Sequence, residues 1–242
     1  MSSVSNKVST VAEALSERAK VALSGHSKNR FQAKGSVQIP QGLVDSLRHH
    51  LENGETHYPD RPGMLQLRKR IGKEVGKYLD GTRDESEVLI TASEGEAVFV
   101  TILGLDLVPG GCILGSEGLL HQELFDWMGI EIRRLEDRST SIAYWELNTK
   151  MGVKSCKGDV DTEIYAFGDI LFGEEIEGLK LKPDTIVVGS LSSVLGIHGF
   201  DLGFVSAEAS VLKAITAWKQ ASSICAPSPS QRVALWALGE RP

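Results

Sequence analysis

The sequence has little that would build a disulfide frame or a metal centre. Only three cysteines occur in 242 residues, Cys112, Cys156 and Cys225, and no two share a CxxC spacing. An odd, scattered set predicts reduced thiols in a cytoplasmic protein. The six histidines include one adjacent pair, His49–His50, and no HExxH or comparable ligand pattern, so no metal is expected. No apolar run approaches the roughly 18 residues of a membrane span. A hydrophobic signal segment is missing from the start as well. The serine-rich opening "MSSVSNKVST" has the composition of a transit peptide, but Glu13 and Glu17 follow it closely, and the expected location is cytoplasmic. Positive charge is also in deficit. The net charge of −6 argues against a nucleic-acid partner, which needs a clustered basic surface. The early basic residues Lys7, Arg18, Lys20, Lys28, Arg30 and Lys34 are interrupted by those same glutamates and read as a solvated helix face.

What is present suits a globular α/β protein: 41% hydrophobic residues and 25 glycines, the latter matching many tight strand–helix turns. Over residues 8–24, Val8, Val11, Ala12, Leu15, Ala19, Ala22 and Leu23 recur at helical spacing, and Gly25 ends the pattern. An extended piece and a helix from Gln41 to Glu52 follow. "THYPDRPGMLQLRKRIGKEVG" opens as a Pro/Gly loop and continues as a helix with Leu65, Leu67, Ile71 and Val75 on its apolar side. Then strands and helices alternate. Val88–Thr91 is a strand, 96–107 a helix, "CILGSEG" a strand, "HQELFDWMG" a helix and "IEIRRL" a strand. Residues 136–160 are polar and without clear period. "TEIYAFGDILF", "DTIVVGS" and "DLGFVSA" give three more strands, and 209–238 a helix broken near Pro227 and Pro229. This order predicts a three-layer α/β/α fold with a mainly parallel sheet, residues 1–34 forming an N-terminal arm and 35–242 one large domain.

In such a sheet ligands lie beyond the C-terminal strand ends. Three ends carry turn chemistry. Thr91-Ala92-Ser93-Glu94-Gly95 precedes a helix: it reads either as an anion cradle or as a capped helix start, with Ser93 as N-cap and Glu96 completing a capping box. Asp169 closes the "IYAFGD" strand, where it either caps the strand end or serves a ligand. Ser190 and Ser192 either donate to an anion or satisfy a tight turn.

Taken in order, four segments resemble the large domain of class I/II aminotransferases, the fold type I enzymes that use pyridoxal phosphate (PLP). "THYPDRPGMLQLRKRI" is similar to their Tyr…Gly…Leu-Arg segment, and "VLITASEGEAVFVTILGLDLVPGG" to their strand, phosphate turn and helix. "DILF" resembles an Asp-x-x-Tyr element. "GSLSSVLGIHGFDLGFVSA" resembles the signature Ser-x-Ser-Lys…Gly…Gly-x-Arg-x-Gly. The resemblance implies a homodimer with PLP between subunits. Tyr58 would reach the cofactor phosphate of a partner subunit, Ser93 and Ser190 would hold the phosphate, and Asp169 would pair with the pyridine nitrogen.

The departures concern charge. The Schiff-base lysine position holds Ser193, which cannot form an imine. The phosphate arginine position holds Asp201, a reversal of sign. Glu94 sits inside the phosphate turn and adds repulsion. The stacking aromatic falls near Leu120, with Gly118 for the proline before it, and the tyrosine of Asp-x-x-Tyr is Phe172. No Asn-Pro-x-Gly segment is found, so a sheet element is expected to be shortened or lost within 136–160. The chain stops at Pro242, where the family continues into a small domain. The expectation is an aminotransferase-like protein without transaminase chemistry, acting as a binding, structural or regulatory homologue. One alternative is a PLP or pyridoxamine-phosphate enzyme without the lysine, for which His198 offers a base. Another is a hetero-partner of an intact aminotransferase-like chain, within one larger active unit.

Overall fold

Val88, Leu89, Ile90 and Thr91 are all buried, and side chains along a strand alternate between faces, so this strand must be covered on both sides. The computed structural model describes residues 39–107, 109, 111–115, 119–133, 142–147, 161–168, 171–172, 176, 178–192 and 198–239. The predicted arm and the helix over 8–24 lie outside the described residues. Those described form seven strands, β1 (Val88–Thr91), β2 (Cys112–Leu114), β3 (Glu131–Arg133), β4 (Ile142–Glu146), β5 (Thr162–Ala166), β6 (Ile186–Ser190) and β7 (Gly203–Ser206). Their helices are α1 (Gln41–Glu52), α2 (Leu65–Gly76), α3 (Glu94–Gly104), α4 (Gln122–Met128), α5 (Ala209–Ser223) and α6 (Ser228–Ala237).

The strands make one sheet in the order β1-β7-β6-β5-β4-β2-β3. Only β7 runs antiparallel to its neighbours. Alternate residues feed two cores. Val88, Ile90, Val187 and Phe204 face the side where α1, α2 and α6 supply Leu43, Ile71 and Val233. Leu89, Ile186, Val188 and Val205 face the other, where α3 and α5 supply Val98, Ile102, Leu212 and Ile215. This is the expected three-layer α/β/α fold. No helix among the described residues is long and apolar enough to cross a membrane.

Two expectations are corrected. Residues 142–146 are not irregular: they form β4, which pairs in parallel with β2 and β5 and buries Ala143 and Tyr144. A five-residue strand between polar stretches leaves too short a pattern to read. Helix α3 begins at Glu94 and ends at Gly104, because Ser93 supplies the cap two residues earlier than the apolar period suggests.

Candidate functional site at the strand ends

Because β1 and β6 both run antiparallel to β7, their C-terminal ends meet its beginning. Thr91 and Ser190 both pair with Gly203 across the sheet. A Cβ on Gly203 would lie 2.3 Å from Ser93 O and 2.6 Å from Glu94 N, so β7 starts directly against the Ser93–Glu94 peptide. Two separate motifs of the sequence, "TASEG" and "FDLGF", are thereby in contact. Ser190 N–H donates to Gly168 O at 2.8 Å, which ties in the end of β5.

Ser93 is the N-cap of α3, its Oγ accepting from Glu96 N–H at 3.1 Å. The Glu96 carboxylate reaches back one residue further than a capping box requires and accepts from Ala92 N–H at 2.6 Å. Glu94, the first residue of α3, crosses to the next turn: its Oε1 accepts from Gly168 N–H at 3.0 Å. Its Oε2 stands 4.0 Å from His121 Nε2, with both side chains largely enclosed. On the far side of the edge, Ser192 N–H donates to Ser190 Oγ at 3.0 Å, and Ser192 Oγ donates to the Asp201 carboxylate.

Three residues without any motif signal complete the edge. Glu146, the last residue of β4, accepts from Leu120 N–H at 2.7 Å and from His121 N–H at 3.3 Å, fixing the start of α4. It lies in the stretch read as irregular, and His121 was hidden beside Leu120, the position of the missing ring clamp. Tyr144 is fully buried and edge-on to Phe125. Burial holds His121 below the usual histidine range, with the Glu146 carboxylate opposing that shift. Burial, then the carboxylates of Glu146 and Glu94, hold the Tyr144 phenol well above its ordinary range.

The structure thus brings together Ser93, Glu94, Ser190, Ser192 and Asp201. Tyr58 is 78% exposed and makes none of these contacts. Asp169 and Ser193 lie outside the described residues. His198 opens a short 3-10 turn, His198–Phe200. Among the described residues no three His, Cys, Asp or Glu side chains are grouped to hold a metal ion.

Comparison with known proteins bears on the fold. Residues 163–242 match the family "Aminotransferase class I and II". That stretch contains β6, β7 and all but the first residue of β5, the strands around Gly168, Ser190 and Gly203. The chain is similar to fold type I, class I/II aminotransferases. Among its relatives is the (5-formylfuran-3-yl)methyl phosphate transaminase of Methanocaldococcus jannaschii, 23% identical over 232 residues and matched over 82% of this chain. The chain spans 60% of that relative's length. An aspartate aminotransferase from Thermotoga maritima superposes with a TM-score of 0.71 at 15% identity, covering 96% of this chain and 74% of the other. A Methanococcus jannaschii protein with an active site similar to kynurenine aminotransferases gives 0.66 at 18% identity, covering 96% and 70%.

For this aminotransferase-like chain, the fit of a cofactor phosphate can be judged from its own groups. Ser93 and Ser190 each retain a hydroxyl proton to donate. Against them stands the Glu94 carboxylate at the very helix start where a phosphate would sit. Like charges about 4 Å apart repel by about 4 kcal/mol at an effective dielectric near 20. A hydrogen bond to a charged group returns about 1.5–3 kcal/mol. Glu94 thus sets a carboxylate against a phosphate dianion at this helix start, opposite the two hydroxyl donors.

Proposed function

We propose that this chain is an aminotransferase-like protein that keeps the large-domain fold without its transamination chemistry, and that it works as a binding or regulatory homologue. The observation that carries this reading is the Glu94 carboxylate bonded across the helix start to Gly168. The resemblance adds Ser193 in place of the lysine and Asp201 in place of the arginine. Asp201 is held by Ser192, so its negative charge is anchored beside the turn. The test is direct: titrate the protein with PLP, record the absorbance, then reduce with borohydride and map the peptides. The expected result is no imine absorbance and no reduced lysine adduct. A stoichiometric adduct on one lysine would overturn the reading.

Homodimerisation is part of the same proposal. An exposed tyrosine beside a Pro/Gly loop, Tyr58, is the group that the family resemblance directs at a partner subunit. A hetero-dimer with an intact aminotransferase-like chain is the second form the reading allows. We also propose the cytoplasm as the compartment, on the ground that the three cysteines are few and scattered, with no CxxC pair.

A further inference from the structure

The last turn of α5 and the turn that follows it hold two groups that nothing above has used. Lys219 is wholly buried, and its amine has no hydrogen-bond partner. Buried polar groups are nearly always hydrogen-bonded, so an orphaned lysine nitrogen calls for a reason. The Glu96 carboxylate acts on it through charge alone. Its oxygens are taken by Ala92 N–H and by the hydroxyls of Ser222 and Ser223.

The second group is the thiol of Cys225, which is free and half-buried. The backbone turns it back toward the helix end. Cys225 N–H donates to Ser223 O at 2.5 Å, and Ile224 between them has φ +53 and ψ −66. This is a three-residue γ-turn, which reverses the chain sharply. The charge of Cys225 then acts on Lys219. The turn thus sets a thiol that solvent reaches against an amine that solvent does not.

The two groups are also matched in reactivity. Burial, opposed by Glu96 and then Cys225, holds the Lys219 pKa below the ordinary lysine value, which enlarges the share of free amine. An accessible thiol is oxidised by peroxide first to sulfenic acid, an electrophile that a nitrogen nucleophile can capture.

We propose that Cys225 and Lys219 form a reversible redox modification site, in which peroxide oxidation of the thiol ends in a sulfur–nitrogen bond to the lysine. In the first step hydrogen peroxide passes one oxygen to the sulfur and leaves as water. The sulfur is oxidised by two electrons and the peroxide reduced by two. In the second step the Lys219 nitrogen attacks that sulfur. The S–N bond forms, the S–O bond breaks, and the hydroxide departs as water with a proton from the nitrogen. An external dithiol reverses the bond, leaving as its cyclic disulfide and returning thiol and amine. The bridge ties the end of α5 to the segment leading into α6, and it removes an unpaired amine from the interior.

The test treats the full 242-residue chain with hydrogen peroxide, blocks residual thiols, digests it with trypsin and weighs the peptides. Cleavage at Lys219 is expected to be lost. The resulting peptide 214–232 should be about 2 Da lighter than its unmodified sequence, the two hydrogens that bridge formation removes. Dithiothreitol added before digestion should restore both the cleavage and the mass. Lys219→Arg keeps a positive charge without a free amine. There the bridge should be absent, and Cys225 should be recovered as sulfinic or sulfonic acid. Cys225→Ser should give no bridged peptide. The proposal fails if, in a wild-type chain of native circular dichroism, Lys219 is cleaved as before while Cys225 is over-oxidised. It fails equally if Cys225 is found joined to another lysine, or stays reduced while Cys112 is oxidised.

Discussion

A methyl group at position 203 would have nowhere to go. The backbone of the Ser93–Glu94 turn lies 2.3–2.6 Å from where it would be, and backbone cannot rotate away as a side chain can. Gly203→Ala is therefore expected to lower stability by about 1–3 kcal/mol, the ordinary cost of overpacking. Gly199→Ala is the control, since nothing lies within 4 Å of its Cβ position. Urea unfolding of the two variants measures the difference, and equal midpoints would contradict the contact. At this scale the sequence was informative: the glycine falls in step with a signature. Its reason, the close approach of a turn 110 residues earlier, belongs to the folded chain. The same holds for Glu94. Its identity and place in the turn were legible, but its bond to Gly168 depends on where β5 ends.

Among the helices, α5 carries an internal conflict. Leu212, Ile215 and Lys219 share its buried face at helical spacing, and Lys219 is fully buried with an unpartnered amine. Burial lowers its pKa, while Glu96 and then Cys225 act to raise it. Glu96 is engaged elsewhere, accepting from Ala92 N–H and from Ser223 Oγ at 2.5 Å. The helix then ends in an unusual turn. Ile224 sits at φ +53, costly for a β-branched residue, with Cys225 N–H donating to Ser223 O. Lys219→Met should stabilise the fold by about 1–3 kcal/mol near neutral pH, the cost of burying an unsatisfied polar group. The sign with pH is fixed. Between the lowered folded value and the ordinary 10.5, the unfolded chain binds more protons, so wild-type stability rises with pH. The advantage of Lys219→Met should accordingly shrink as pH approaches 10.5, as denaturant midpoints from pH 7 to 10.5 would reveal. A constant gap would assign the effect to packing alone. A lysine at an apolar helical phase was open to view in the sequence. Whether its amine escapes to solvent was not, because long side chains commonly do so.

For the molecule as a whole, the sheet order decides which strand ends can cooperate. Placing β7 between β1 and β6, antiparallel to both, brings Thr91, Gly203 and Ser190 side by side although they are distant in sequence. The dimer proposal belongs at this scale. Sedimentation equilibrium is expected to give twice the 26.2 kDa chain mass. If Tyr58 faces the partner, Tyr58→Asp should shift the distribution toward monomer, since an isologous contact is altered in both subunits at once. A monomeric wild-type chain at all concentrations would remove the homodimer and leave the hetero-partner.

Composition and periodicity by themselves determined the fold class, the helices at Gln41–Glu52 and 209–238, and the strand Val88–Thr91, because burial on two faces writes an apolar run and amphipathic helices write a 3.6-residue period. Motif order determined the aminotransferase resemblance and pointed to Ser93, Glu94, Ser190, Ser192 and Asp201. Only the tertiary structure decided that β4 completes the sheet and that Glu94, His121, Glu146 and Tyr144 stand together. Those four come from three separate strand–helix units. Their meeting depends on strand pairing and crossover, which are long-range choices that leave no local pattern in the residues themselves.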